Sequence, residues 1–146
     1  MVVKNTNDND LSKVYRISAV TLLIKNMKTS CRFYSQIPGF KLVYGGSSND
    51  TFTTFEIGKR IPKVYLNLEL YYATTNNYAR KHFGRIIFHT EDVDKLYSYM
   101  KSSHNVSNII SFKDEPKDAS WGERFFHIRE PDGYQLSFAM PIKSKT

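Results

Sequence analysis

Three short stretches carry the side chains whose types and spacing could do chemistry. In "VYLNLELYY" (64–72), Tyr65, Asn67, Glu69 and Tyr71 alternate with Leu66, Leu68 and Leu70. In "RIIFHT" (85–90), Arg85, Ile87 and His89 alternate with Ile86 and Phe88. In "YQLSF" (134–138), Gln135 and Ser137 alternate with Leu136 and Phe138. A strand sends successive side chains to opposite faces, so each stretch has one apolar face and one mixed face. A solvated face would carry more Lys and Glu, and a core face would not carry Arg, Glu and Asn. Aromatic, apolar and convergent polar groups together are the lining of a small-molecule cleft. Within such a cleft Glu69 is a candidate general base or ligand, and Arg85 a receiver for an anionic or carbonyl-bearing molecule.

The elements that must position these side chains follow from periodicity. "VYRISAVTLLI" (14–24) reads as a strand, with Val20, Leu22 and Ile24 apolar on one side and Ala19, Thr21 and Leu23 on the other. Asn26 is placed to cap a helix over 27–37 carrying Met27, Cys31, Phe33, Tyr34 and Ile37, stopped by Pro38-Gly39. "FKLVYGG" is a strand, and "TFTTFEIG" with "KVYLNLELYY" a hairpin. After "RIIFHT", Asp92 caps a helix with Val93, Leu96, Tyr97 and Met100 at amphipathic spacing. "NVSNIISF" (105–112) is predicted as a strand, and "RFFHIREPDGYQLSFAM" as a hairpin about the Pro131-Asp132-Gly133 turn.

Each half thus reads strand, helix, strand, strand, strand. Residues 19–26 overlay on 85–92 and 66–70 on 134–138 with nearly constant shifts, which indicates an internal duplication. The expected organisation is a flexible arm at 1–12, one domain over 13–142 with modules at 14–72 and 83–142, and a tail at 143–146.

Bulk properties narrow the classes. The 146-residue chain carries 21 Lys+Arg against 14 Asp+Glu, net +7, but the basic residues are scattered without a run that would mark a nucleic-acid site. No apolar stretch nears the ~20 residues of a membrane helix. The N-terminus "MVVKNTNDND" lacks the apolar core of a signal peptide, so the expected location is cytoplasmic, with no nucleic-acid or membrane partner. The lone cysteine, Cys31, reads as a small buried hydrophobe.

With these elements in place, the chain resembles the glyoxalase / bleomycin-resistance / extradiol dioxygenase superfamily, the vicinal oxygen chelate (VOC) fold. "AVTLLIKNMKTSCRFYSQIPGFKLVY", "RIIFHTEDVDKLYSYM" and "FFHIREPDGYQLSF" carry the resemblance, which spans about residues 14–142. It implies an α+β fold in which two βαβββ modules form a glyoxalase-like half-barrel sheet with helices on the outside.

The resemblance also implies four inward positions that hold a divalent ion in metal-dependent members. They fall on Ala19, Glu69, Arg85 and Ser137. Only Glu69 is a good ligand: alanine has no donor, a neutral serine is weak, and a guanidinium brings positive charge and no lone pair. The expectation is therefore no metal at this place and no cofactor. Arg85 is expected in the vacated region, paired with Glu69. His89 and His127 are the candidates for a displaced metal site; His82 and His104 read as loop or surface residues.

The leading functional expectation is a metal-independent small-molecule-binding protein, acting as a homodimer on an anionic ligand. Its cleft centres on Arg85 and Glu69 and is lined by Asn67, Tyr65, Tyr71, His89, Gln135 and Ser137. The alternative is a metal-dependent lyase, isomerase or dioxygenase with an atypical site, or a metal-free catalyst using Glu69. A third is an interaction module with an open sheet. The modules could pair within one chain or be exchanged between two.

Overall fold

The structure is a computed structural model of the chain and describes residues 16–71 and 85–142. The expected arm, the linker at 73–82 with His82, and the tail lie outside the described residues.

The first half consists of β1 (Ala19–Ile24), α1 (Met27–Ser35), β2 (Phe40–Tyr44), β3 (Phe52–Ile57) and β4 (Val64–Leu70), with the sheet ordered β1-β4-β3-β2. β1 runs parallel to β4 in a register that sets Val20, Leu22 and Ile24 beside Leu66, Leu68 and Leu70. One apolar face results, and α1 covers it. The helix starts where Asn26 accepts a hydrogen bond from the Thr29 amide at 3.0 Å. Met27, Cys31, Phe33 and Tyr34 are buried beneath it. The Cys31 thiol lies 3.6 Å from the Thr53 hydroxyl, and burial raises its pKa, so it is the buried hydrophobe expected.

The second half consists of β5 (Arg85–His89), α2 (Val93–Ser102), a one-turn α3 (His104–Ser107), β6 (Ser111–Phe112), β7 (Lys117–Asp118), β8 (Glu123–Arg129) and β9 (Gln135–Pro141). Its sheet runs β5-β9-β8-β6, with β7 also on β8. β5 is parallel to β9, as β1 is to β4, and Ile86 and Phe88 sit beside Leu136 and Phe138. Asp92 caps α2 by accepting from the Lys95 amide at 3.0 Å, and Val93, Leu96 and Met100 are buried. Burying those three side chains stabilises the packing by roughly 1.5–3 kcal/mol each, more than the ~1 kcal/mol of the cap. Periodicity therefore sets the helix and the cap sets where it starts. The α+β class with two repeated modules is the one expected.

One expected element is corrected. Residues 105–110 are not a strand. Asn105, Ser107 and Asn108 have little to place on a pleated surface, and the chain turns once more instead. The Ser107 amide donates to the Ser103 carbonyl at 2.8 Å, and Val106 drops into the core. Only Ser111 and Phe112 pair with β8.

Among the described residues the two sheets share no strand pair. Their halves meet on the helix-covered sides, where the turn between β8 and β9 docks on α1. Tyr34 donates its hydroxyl hydrogen to Glu130 at 3.0 Å. Asp132 accepts from the Lys25 amide at 2.8 Å and from the Ser30 hydroxyl at 3.1 Å. Tyr134 donates to the Leu23 carbonyl at 2.7 Å. Phe40 and Phe88 meet edge to face at 5.4 Å, which carries the apolar core across the seam. Glu130 also accepts from the Asp132 and Tyr134 amides, and burial raises its carboxyl pKa to about 7. Among the described residues no helix is long and apolar enough to cross a membrane.

Candidate functional site

With one face of each sheet spent on its helix, the other face carries the alternate residues. On the first sheet, Ala19 stands opposite Tyr65, Thr21 opposite Asn67, and Leu23 opposite Glu69. Thr54 faces Asn67 from β3. A neutral row spans three strands here: Thr54 donates to the Asn67 carbonyl oxygen at 2.8 Å, and the Asn67 amide donates to Thr21 at 3.2 Å. Glu69 is exposed at the end of β4, and Tyr65 and Tyr71 are half-buried.

On the second sheet the register sets out three rows. Arg85, Gln135 and Arg129 form the first. Ile87, Ser137 and His127 form the next, and His89, Ala139 and Phe125 the third. Arg85 is exposed and Gln135 half-buried between the two arginines. Ser137 is buried, and its hydroxyl lies 2.6 Å from His127 Nδ1. Burial holds the His127 imidazole below its usual range; Asp114 opposes this, while Arg85 and Lys117 add to it. His89 Nε2 lies 3.1 Å from Glu123 Oε2, and the other Glu123 oxygen accepts from the Trp121 indole at 2.8 Å. Trp121 stacks on Phe125 at 5.7 Å, and Phe125 meets His127 at 4.8 Å.

The structure thus gathers Arg85, His89, Gln135, Ser137 and His127 on one face. It gathers Tyr65, Asn67 and Glu69 on another. Within one chain it does not bring Arg85 and Glu69 together: they lie on different sheets, and no ion pair joins them. An unpaired buried guanidinium would be costly, but an exposed one is hydrated and needs no internal partner. His104 begins α3 at the surface.

A divalent ion does not fit the four family positions. Glu69 sits four residues along β4 from Tyr65, the partner of Ala19, so ~13 Å of strand separates those two places. Arg85 offers no lone pair, and the Ser137 hydroxyl is engaged by His127. His89 and His127 are committed to different partners. Among the described residues no three of His, Cys, Asp and Glu are grouped to hold an ion.

Sequence reasoning missed Trp121, Glu123, Phe125 and Arg129. Their signal was present: from Trp121 to Arg129 every second residue of "WGERFFHIR" lies on this face. The doublet Phe125-Phe126 hides it, because composition does not say which ring enters the core; Phe126 does, fully buried. A further concavity of about 590 Å³ opens at the seam and touches this face through Arg129 and Ser111, with Lys25 and Asn108 on its other walls.

Comparison with known proteins agrees with this architecture. A member of the Glyoxalase/bleomycin resistance protein/dioxygenase superfamily from Sphaerobacter thermophilus is 20% identical with a TM-score of 0.59, over 86% of this chain and 97% of that one. TnmS3, an antibiotic binding protein from Streptomyces sp. CB03234, is 17% identical with a TM-score of 0.63, over 90% of this chain and 99% of that one. Hypothetical protein SA1046 from S. aureus is 17% identical with a TM-score of 0.59, over 88% and 99%. Among curated proteins none matches. The family profile matches residues 16–138, nearly the whole described fold, and the chain belongs to the Glyoxalase/Bleomycin resistance protein/Dioxygenase superfamily.

Proposed function

We propose that this protein is a metal-independent small-molecule-binding protein that works as a homodimer. Its cleft forms where the first-sheet face of one protomer covers the second-sheet face of the other. Glu69 then meets Arg85 of the partner subunit, and an anionic ligand is received between Arg85, Gln135, Ser137 and His89 on one wall and Tyr65, Asn67 and Tyr71 on the other.

The donor set at the family's ion positions carries this reading: Ala19, Glu69, Arg85 and Ser137 offer one good ligand, where a catalytic ion takes about three. Two further facts support it. Among the described residues, each sheet has a mixed polar and aromatic face on the side away from its helix. A structural relative of similar fold is described as an antibiotic binding protein.

The test begins with protein stripped by EDTA. Titration with Mn²⁺, Ni²⁺ and Zn²⁺ by calorimetry is expected to give no stoichiometric binding. A thermal-shift panel of aromatic and aliphatic carboxylates and phosphates is expected to give stabilising ligands whose shifts disappear in Arg85→Ala. One ion per chain lost in Glu69→Ala would support the metal-dependent enzyme instead. A monomer by light scattering at binding concentrations would refute the shared cleft.

A further inference from the structure

We infer that the ligand is two-ended, a planar aromatic unit joined by a short arm to an anionic group. The inference rests on the reading of the second-sheet face as a ligand surface and narrows it to a chemical class.

Residues in register across neighbouring strands share a face and lie side by side. The row Arg85–Gln135–Arg129 therefore makes one end of this face cationic. Arg129 donates to the Gly133 carbonyl at 3.1 Å, which holds its guanidinium at that end. Lys25 and Arg129 line the adjoining cavity together with Glu130 and Asp132, so the charge inside that cavity is mixed, and the cationic end of the face is the arginine row itself. Guanidinium and amide donors flanking one spot suit the paired oxygens of a carboxylate or phosphate.

The other end is built from rings. The turn at 119–122 closes with the Gly122 amide donating to the Ala119 carbonyl, and Gly122 adopts φ 93°. This turn sets Trp121 beside Phe125, where the two rings stack at 20° between their planes. Glu123 fixes the indole in that plane through its N–H. Yet Trp121 is 66% exposed. A tryptophan that served only packing would hide its ring, since its apolar area is large. Here the indole is held in one orientation with one face on Phe125, a stacking platform ordered before anything binds. At this end Lys117 lies 3.6 Å from Asp114, and Glu123 accepts from Trp121 and sits beside His89.

From Phe125 to Arg129 is four residues, ~13 Å along the strand. Arg129 stays at the turn with Gly133, and the exposed Arg85 side chain is long enough to span part of that distance, so the ring and the charge of the ligand are separated by a few bonds. Ile87, the buried Ser137 and the half-buried His127 form the floor between them.

The chain has one tryptophan, so its emission reports this platform alone. The experiment uses the full chain in EDTA with three probes: 1-pyrenebutyrate, its uncharged analogue 1-pyrenebutanol, and decanoate, which has the charge without the ring. Calorimetry and Trp121 emission are read together. The expected result is that pyrenebutyrate binds tightest and quenches Trp121. Trp121→Ala is expected to weaken both pyrene probes about tenfold and leave decanoate unchanged. Arg85→Ala should weaken pyrenebutyrate to the level of pyrenebutanol and leave pyrenebutanol unchanged.

Three results would overturn the inference: pyrenebutyrate binding no tighter than the other two, Trp121→Ala leaving the pyrene probes unaffected, or Trp121→Ala dissociating the dimer. The last would make the ring part of the protein interface. Decanoate bound in an Arg85-dependent way while Trp121→Ala is silent would remove the aromatic end and keep the general cleft. Failure of all three probes would overturn the two-ended ligand, whereas the general reading stands or falls by the wider panel.

Discussion

The two sheets have the same connections and very different bare faces. Both join their first and last strands in parallel, and both set aliphatic and aromatic side chains beneath a capped helix. On the uncovered side the first sheet shows a neutral row, Thr21–Asn67–Thr54, closed on itself by hydrogen bonds. The second shows arginines at one end and stacked rings at the other. The covered faces are constrained alike because both solve the same packing problem. The bare faces carry no such constraint, so specificity is free to be written there.

The strongest test of this comparison is to damage the shared part. Phe138→Ala and Leu68→Ala remove buried side chains that stand in register with Phe88 and Leu22 on the covered faces of the two halves. Each is expected to cost about 2–5 kcal/mol in chemical denaturation. A cost confined to one of them would show that the covered faces are not equivalent after all.

A second test separates the seam from both sheets. Glu130 is 3% exposed, and burial raises its carboxyl to about 7 in the fold, against 4.5 for the free group. The native state therefore holds a proton that the unfolded chain has released between those values. Stability from this group is fully present below the unfolded pKa and is lost as pH rises through the folded one. The total is on the order of 3 kcal/mol. Unfolding free energy measured from pH 5 to 8 is expected to fall, and Glu130→Gln to flatten that fall. An unchanged slope would place the titrating group elsewhere.

The smallest expected effect falls on the first bare face. Asn67→Ala breaks two hydrogen bonds at half-buried sites, which is worth about 1 kcal/mol by thermal denaturation. A loss comparable to that of the core variants would make the neutral row a structural element of the first sheet.

Much of this was legible in the chain. Asn26 and Asp92 announced their helices, and α2 begins and ends where the spacing of Val93, Leu96 and Met100 put it. The leucines of β4 declared its covered face. The segment 105–112 misled because its apolar residues could serve a strand or a turn of helix equally well, and the hydrogen bond from Ser107 to Ser103 decided between them. The ring platform was missed because two adjacent phenylalanines mask a two-residue alternation. The expected Arg85–Glu69 pair left open whether the modules meet within one chain or across two; in the chain the two residues lie on different sheets, and alternation within a strand says nothing about which sheet will face which.

What the sequence determined by itself was local: the two periods of hydrophobicity, the caps, the turns, and the side of each strand that a residue takes. These follow from backbone geometry over a few neighbouring residues. Tertiary structure alone decided what meets across long separations. Tyr34 reaches Glu130 over 96 positions, and Lys25 reaches Asp132 over 107. Such contacts form only when whole sheets and helices have packed, because their geometry depends on every element between them.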